Sequence, residues 1–154
     1  MRITEVDVPA QHWLVQQHDV RLADLAQVMG PTFLYVTMYA QIHGLVTAGP
    51  SLTRVLEYTP GLDRIRLEVG YPLLMAAPAL KDDVYYVAVP ACRALKGEHI
   101  GPYDGLQAAH QRMKIALKER KLSQTAPLWE QYTRGPEQNQ APNTWLTEIY
   151  YPIG

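Results

Sequence analysis

The sequence repeats itself. Residues 66–73 read Arg-Leu-Glu-Val-Gly-Tyr-Pro-Leu and residues 146–153 read Leu-Thr-Glu-Ile-Tyr-Tyr-Pro-Ile, so Glu68, Tyr71 and Pro72 return as Glu148, Tyr151 and Pro152 at an offset of 80. Val69 and Leu73 return conservatively as Ile149 and Ile153. Upstream, each copy has a helical pattern, a proline (Pro50, Pro127) and a short strand with a tyrosine (Tyr58, Tyr132). Each half therefore reads strand, helix, strand, strand, and a duplication of this kind dictates architecture. One βαββ unit exposes an apolar sheet face that it cannot bury alone. Two units side by side make an antiparallel sheet with the helices on one face, and the junction is a favoured ligand site. The expected fold is α+β: a tandem βαββ repeat with pseudo-twofold symmetry and a central ligand cleft. It forms a single domain over 1–154, with repeat one at about 1–76 and repeat two at about 84–154.

Periodicity places the elements. Residues 2–8 alternate apolar and polar and read as a strand stopped by Pro9, while 12–20 are ambiguous. A short helix over about 21–29 is expected to break at Gly30-Pro31. A second follows over 32–46, with Leu34, Met38, Ile42 and Leu45 as its apolar stripe. Residues 52–58 and 64–71 read as a strand pair around Thr59-Pro60-Gly61. There Ile65, Leu67, Val69 and Tyr71 face one way and Arg64, Arg66 and Glu68 the other. Residues 72–83 form a proline-containing connection between halves, and Val84 to Val89 reads as a strand. A helix over about 103–121 carries the stripe Leu106, Ala109, Met113, Ala116 and Leu117. Strands are expected over 128–133 and 144–151, separated by a polar loop at 134–143, with Pro152 closing the last.

Composition narrows the function. With 154 residues, 47 % of them hydrophobic, the chain can bury a core without disulfides. A formal charge of −1 draws it to neither nucleic acid nor an anionic membrane. The single cysteine, Cys92, excludes an intrachain disulfide and a CxxC site and suits a reducing compartment. No run reaches the roughly 20 apolar residues of a membrane helix, and the charged start lacks a secretory apolar core, so a cytoplasmic location is expected. The five histidines, at 12, 18, 43, 99 and 110, lack metal-ligand spacing, and no metal or cofactor is expected. GxGxxG, the phosphate-binding P-loop and Gly-x-Ser-x-Gly motifs are absent, which leaves nucleotide binding and serine hydrolysis unsupported. Ten tyrosines against one phenylalanine is the unusual number. Tyrosines with their hydroxyls at water or a cavity walled by polar-tipped rings both account for it.

Three stretches carry a resemblance. They are His99-Ile100-Gly101-Pro102-Tyr103-Asp104-Gly105-Leu106, Leu128-Trp129-Glu130-Gln131-Tyr132, and Leu146-Thr147-Glu148-Ile149 through Pro152-Ile153. The first half repeats the pattern through Gly30-Pro31 to Tyr39 and Gly49-Pro50 to Tyr58. In order and spacing these resemble the GyrI-like small-molecule-binding family, the effector-binding domain of AraC-type and MerR-type multidrug regulators. The resemblance implies a double βαββ fold around a cleft that takes hydrophobic, often cationic, aromatic compounds. It also implies a buried glutamate as the anchor for the cation, which here is Glu130. Aligning the tyrosines of the halves puts Leu56 in the equivalent place; aligning the acids puts Glu57 there.

Strand alternation places Glu130 and Tyr132 on one face and Trp129 and Gln131 on the other. By its residue type alone, Glu130 would face water. Tyr35 and Tyr39, four apart on a helix, share a face that either lines the groove or packs half-buried. Tyr71 and Tyr151 either flank the cleft or form a girdle at the strand ends, and Tyr103 reads as fixing a helix entry.

The resemblance implies a binding module for amphipathic small molecules, acting as a sensor or by sequestration. The chain begins at its first strand, with no helix-turn-helix ahead of it and no basic recognition helix, so direct DNA binding is not expected. A protein partner or a homodimer stays open. An alternative is enzymatic: some GyrI-like proteins are hydrolases that open strained cyclopropane rings of toxic compounds. Glu130, with a raised pKa, and Tyr132 would then supply acid–base chemistry. A third reading is haem binding, because a haem-binding (SOUL-like) family shares the double βαββ layout; it needs an axial histidine.

Overall fold

The chain crosses between two structural units at Pro9–Ala10 and again at Pro90–Ala91. The computed structural model describes residues 1–80, 82–138 and 141–154. Residue 81 of the connection at 72–83, and residues 139 and 140 of the loop at 134–143, lie outside the described residues.

One unit comprises residues 10–90. It holds β2 (Gln11–Arg21), α1 (Leu25–Ile42), β3 (Leu52–Thr59), β4 (Arg64–Leu73) and β5 (Val84–Val89), preceded in the chain by β1 (Arg2–Val8). Its four strands lie in the order β3-β4-β2-β5, all antiparallel. The other unit comprises residues 1–9 and 91–154. It holds β1, β6 (Cys92–Ile100), α2 (Leu106–Glu119), β7 (Trp129–Arg134) and β8 (Leu146–Ile153), in the order β1-β6-β8-β7. Each unit is thus a βαββ motif with one strand added beside its leading strand.

That added strand is where the fold departs from the sequence reading. The strands expected to lead each repeat, 2–8 and 84–89, are the added ones. β1 pairs with β6, and β5 pairs with β2. The true leading strands are β2, which was ambiguous, and β6, which went unseen. The connection expected to separate the halves instead sits inside the unit of residues 10–90.

The helix of the first repeat also differs. Gly30-Pro31 does not break it; α1 runs unbroken through Pro31. Proline forfeits one backbone hydrogen bond here. Thr32, Val36, Tyr39 and Ala40 are buried along one side and hold the helix against β2 and β4 across that gap. Of the stripe expected to be buried, Leu34, Met38 and Ile42 point outward, 63 %, 50 % and 78 % exposed, while Leu45, past the helix end, packs against the core. In α2 the expected face is the buried one, with Ala109, Met113, Ala116 and Leu117 against Leu95, Ile149, Tyr151 and Ile153.

The repeated prolines lie within strands. Pro72 and Pro152 sit opposite Trp13 and Ala94, past the last rung of β3 and β7. Their missing N–H groups therefore cost no ladder bond. Their carbonyls accept from Ala48 and Thr125 at 2.9 Å in both copies. The helices end alike too. Gly44 (φ 66°) and Lys121 (φ 55°) take the left-handed conformation, and the next residues donate back, Leu45 to Ala40 at 2.8 Å and Leu122 to Leu117 at 2.9 Å.

Candidate functional site

Strand β7 carries the acid and the tyrosine singled out in the sequence, Glu130 and Tyr132. Glu130 stands opposite Ile149 and Tyr132 opposite Thr147, on the sheet face that α2 covers. The Tyr132 hydroxyl donates to Glu130 Oε1 at 3.2 Å. From α2, His110 places Nε2 3.1 Å from Glu130 Oε2. From β8, the Tyr151 hydroxyl lies 2.7 Å from His110 Nδ1. The 3-10 turn before α2 adds Tyr103, whose ring meets Tyr132 edge-on at 5.5 Å and Trp145 at 4.8 Å. Gly135 makes room for that ring, since a Cβ there would sit 2.5 Å from the Tyr103 hydroxyl oxygen. The result is a carboxylate and an imidazole within a wall of four aromatic side chains.

The side chains of Glu130 and His110 are 13 % and 22 % exposed, so water reaches both, while Tyr132 and Tyr151 are buried. Burial, and then the nearby Glu130 charge, push the Tyr151 phenol well above its ordinary pKa. Tyr103 is raised by burial, then by Glu137 and Glu130. Both rings are therefore neutral donors near neutral pH. Glu130 has hydrogen-bonding partners, His110 and Tyr132, within its own unit.

The structure brings Glu130, Tyr132 and Tyr151 together. It places Tyr35, Tyr39 and Tyr71 in the other unit. There Tyr35 donates to Asp83 at 3.0 Å, Tyr39 donates to Asp82 at 2.5 Å and stacks on His43, and Tyr71 packs edge-on to Phe33. The position equivalent to Glu130 is neither Leu56 nor Glu57. Thr53 stands opposite Val69 as Glu130 stands opposite Ile149. The tyrosines themselves are not equivalent: Tyr58 stands opposite Ile65, whereas Tyr132 stands opposite Thr147, the counterpart of Leu67.

His110, Trp145 and the site role of Tyr103 were missed. One signal was available: residues 103, 106, 110, 113 and 117 fall on a single helical face, so His110 interrupts an apolar stripe. Both its ring nitrogens are engaged, which leaves no lone pair to serve as the axial ligand of a haem. Among the described residues, no cluster of three or more His, Cys, Asp or Glu is placed to hold a metal, and no helix is long and apolar enough to cross a membrane. A shallow cavity of about 300 Å³ in the unit of residues 10–90 is lined by the ion pairs Asp19–Arg64 and Glu57–Arg66, which satisfy each other's charge.

The fold recurs in solved structures. The EcmrR C-terminal domain superimposes with a TM-score of 0.85 at 18 % identity, over 99 % of this chain and 97 % of that one. The chain spans 57 % of the longer EcmrR chain in a complex with DNA. SAV2435 bound to tetraphenylphosphonium matches with a TM-score of 0.64 at 11 % identity, over 100 % and 94 % of the two chains. A hydrolase from Listeria innocua, encoded by lin2189, matches with a TM-score of 0.60 at 10 % identity, over 99 % and 92 %. No curated protein matches the sequence. The family model of the GyrI-like small molecule binding domain matches residues 1–153, and the chain belongs to that family.

Proposed function

We propose that this domain binds hydrophobic, often cationic, aromatic small molecules against the α2-covered face of β7, with Glu130 as the anchor. The observation that carries the reading is a water-accessible carboxylate among Tyr103, Tyr132 and Tyr151, with Trp145 packed on Tyr103. A carboxylate that has given up part of its hydration is costly, and a ligand cation offsets that cost. Lipophilic cations lose their own hydration more easily than ammonium. Aromatic faces add about 0.5–2 kcal/mol each by cation–π attraction. That a structural neighbour is named as bound to tetraphenylphosphonium supports the same ligand class. Such a module acts as a sensor or by sequestration.

The test is a titration with rhodamine 6G of wild type and Glu130→Gln. Micromolar binding weakened about tenfold or more by the substitution supports the reading. Equal binding by both proteins sinks it.

The hydrogen bond between Tyr132 and Glu130 favours a second reading, hydrolysis of a strained electrophile with the pair as acid and base. Neighbours described as hydrolases share the fold. Loss of a cyclopropanoid substrate over time, abolished in both Glu130→Gln and Tyr132→Phe, is the outcome it requires.

A further inference from the structure

His110 has a direction built into it. A carboxylate only accepts hydrogen bonds, so the imidazole must present Nε2–H to Glu130 Oε2. A neutral imidazole has one N–H, so Nδ1 accepts the Tyr151 hydroxyl proton at 2.7 Å. The hydrogen bonds therefore run from Tyr151 through His110 to Glu130, and Tyr132 donates to the other carboxylate oxygen. Each oxygen keeps a lone pair for a ligand.

We propose that His110 is a specificity-determining residue: its imidazolium is an internal cation that competes with a ligand's cation for Glu130. This rests on the reading of Glu130 as the anchor. With His110 neutral the site carries one negative charge, matched to a monocation. With His110 protonated the pair is neutral, a second cation meets a like charge, and neutral aromatics are favoured. The second proton also turns Nδ1–H toward the Tyr151 oxygen, which frees the phenolic hydrogen to donate elsewhere.

Among the described residues, the groups packed around the ring are these, with Glu137 acting on Tyr103 from the loop after β7. β7 and β8 contribute Glu130, Tyr132 and Tyr151, and the turn before α2 contributes Tyr103. β6 presents Leu95, Gly97 and His99, the last bonded to the Pro102 carbonyl. On α2 itself, Arg112 and Lys114 are exposed. Proton and ligand cation are then linked, each weakening the other by the same factor. An unperturbed imidazole changes charge between about pH 5 and 8, which sets the two pH values for the test.

The experiment is calorimetric titration with tetraphenylphosphonium, which is charged at every pH, at about pH 8 and about pH 5.5. The proteins are wild type, His110→Gln and Glu130→Gln. Wild type should bind about tenfold or more weakly at the lower pH and release protons on binding. His110→Gln keeps a donor for Glu130 without a titrating charge, so it should bind equally at both pH values. A wild type insensitive to pH, or a His110→Gln that keeps the wild-type dependence, overturns the proposal. A Glu130→Gln that binds like wild type overturns the anchor reading, as does a wild type that binds no cation at the higher pH. A ligand-free readout separates the two failures. Nitrogen-15 spectra should show the Nε2–H tautomer of His110, relaxed in Glu130→Gln, and an Nδ1–H tautomer overturns the directional relay.

Discussion

Thr53 and Glu130 hold one and the same place in their two units, each opposite the residue that recurs as Val69 and Ile149. A hydroxyl on one side of the duplication is a carboxylate on the other. The duplicated scaffold has thus become chemically asymmetric at this register. Thr53→Glu should make the copies alike and should fail to be tolerated, because Thr53 is buried beside Val69 and Gln16. The expected loss is roughly 3 kcal/mol or more in urea unfolding. Glu130→Thr should cost far less. Equal losses would show that the two sites are equally able to take an acid.

Arg54→Met should be among the most damaging substitutions. Arg54 places Nη2 2.6 Å and Nε 2.7 Å from Glu68 Oε1, Tyr85 donates to Oε2 at 2.5 Å, and the guanidinium lies 5.2 Å over Trp13. Glu68 is only 4 % exposed. Removing the cation strands a buried charge, at about 3–5 kcal/mol. Adding Glu68→Gln should restore part of the stability, read from the urea midpoint. A double variant no better than the single would show that packing by the guanidinium dominates.

Alkali should unfold this protein through its tyrosines. A hydrogen bond to Asp82 pushes Tyr39 up to about 12. Burial, then contact with Glu68, Glu148 and Glu130 respectively, raises Tyr85, Tyr150 and Tyr151 further still. All four sit above the ordinary value of about 10, so the folded state holds these protons more tightly than the unfolded. Their stabilisation is complete below about pH 10 and is lost as pH rises through the folded values. The share of the phenolate absorbance that these four contribute should therefore appear only together with loss of tryptophan near-UV dichroism. Ionisation of all ten tyrosines in a still folded protein would contradict this.

Lys121→Gly should stabilise the protein. Lys121 occupies the left-handed position that Gly44 occupies after α1, and a side chain is strained there. The expected gain is about 1 kcal/mol, reduced by the added freedom of the unfolded chain. A lower melting temperature than wild type would mean that the lysine side chain contributes more than its backbone costs.

How far the sequence could be read depends on the element. Glu130 and Tyr132 declared their shared face by alternation, and β4 and β8 announced themselves by the repeated Glu-x-x-Tyr-Pro. β6 did not. Ala94 and Leu95 are both buried, and Lys96, Gly97 and Glu98 have weak strand preference, so only pairing with β1 and β8 makes it a strand. A clue stood nearby: Val8-Pro9-Ala10 recurs as Val89-Pro90-Ala91 at the two crossings between units. The outward stripe of α1 was illegible for another reason. Leu34, Met38 and Ile42 are as apolar as buried Val36 and Ala40, so periodicity cannot choose between the faces. His110 was overlooked because its partners, twenty and forty-one residues away, become neighbours only in the folded unit.

The crossing strands also set an order of events on the ribosome. The unit of residues 10–90 is continuous in the chain and is finished as soon as β5 emerges. β1 is made first, yet Val8 has no partner until Cys92 is translated, and its sheet is not closed until β7 and β8 follow. During that interval the seven-residue β1 lacks its partner strand, and Arg2, Glu5 and Asp7 along it are charges of the kind that oppose pairing with a foreign strand.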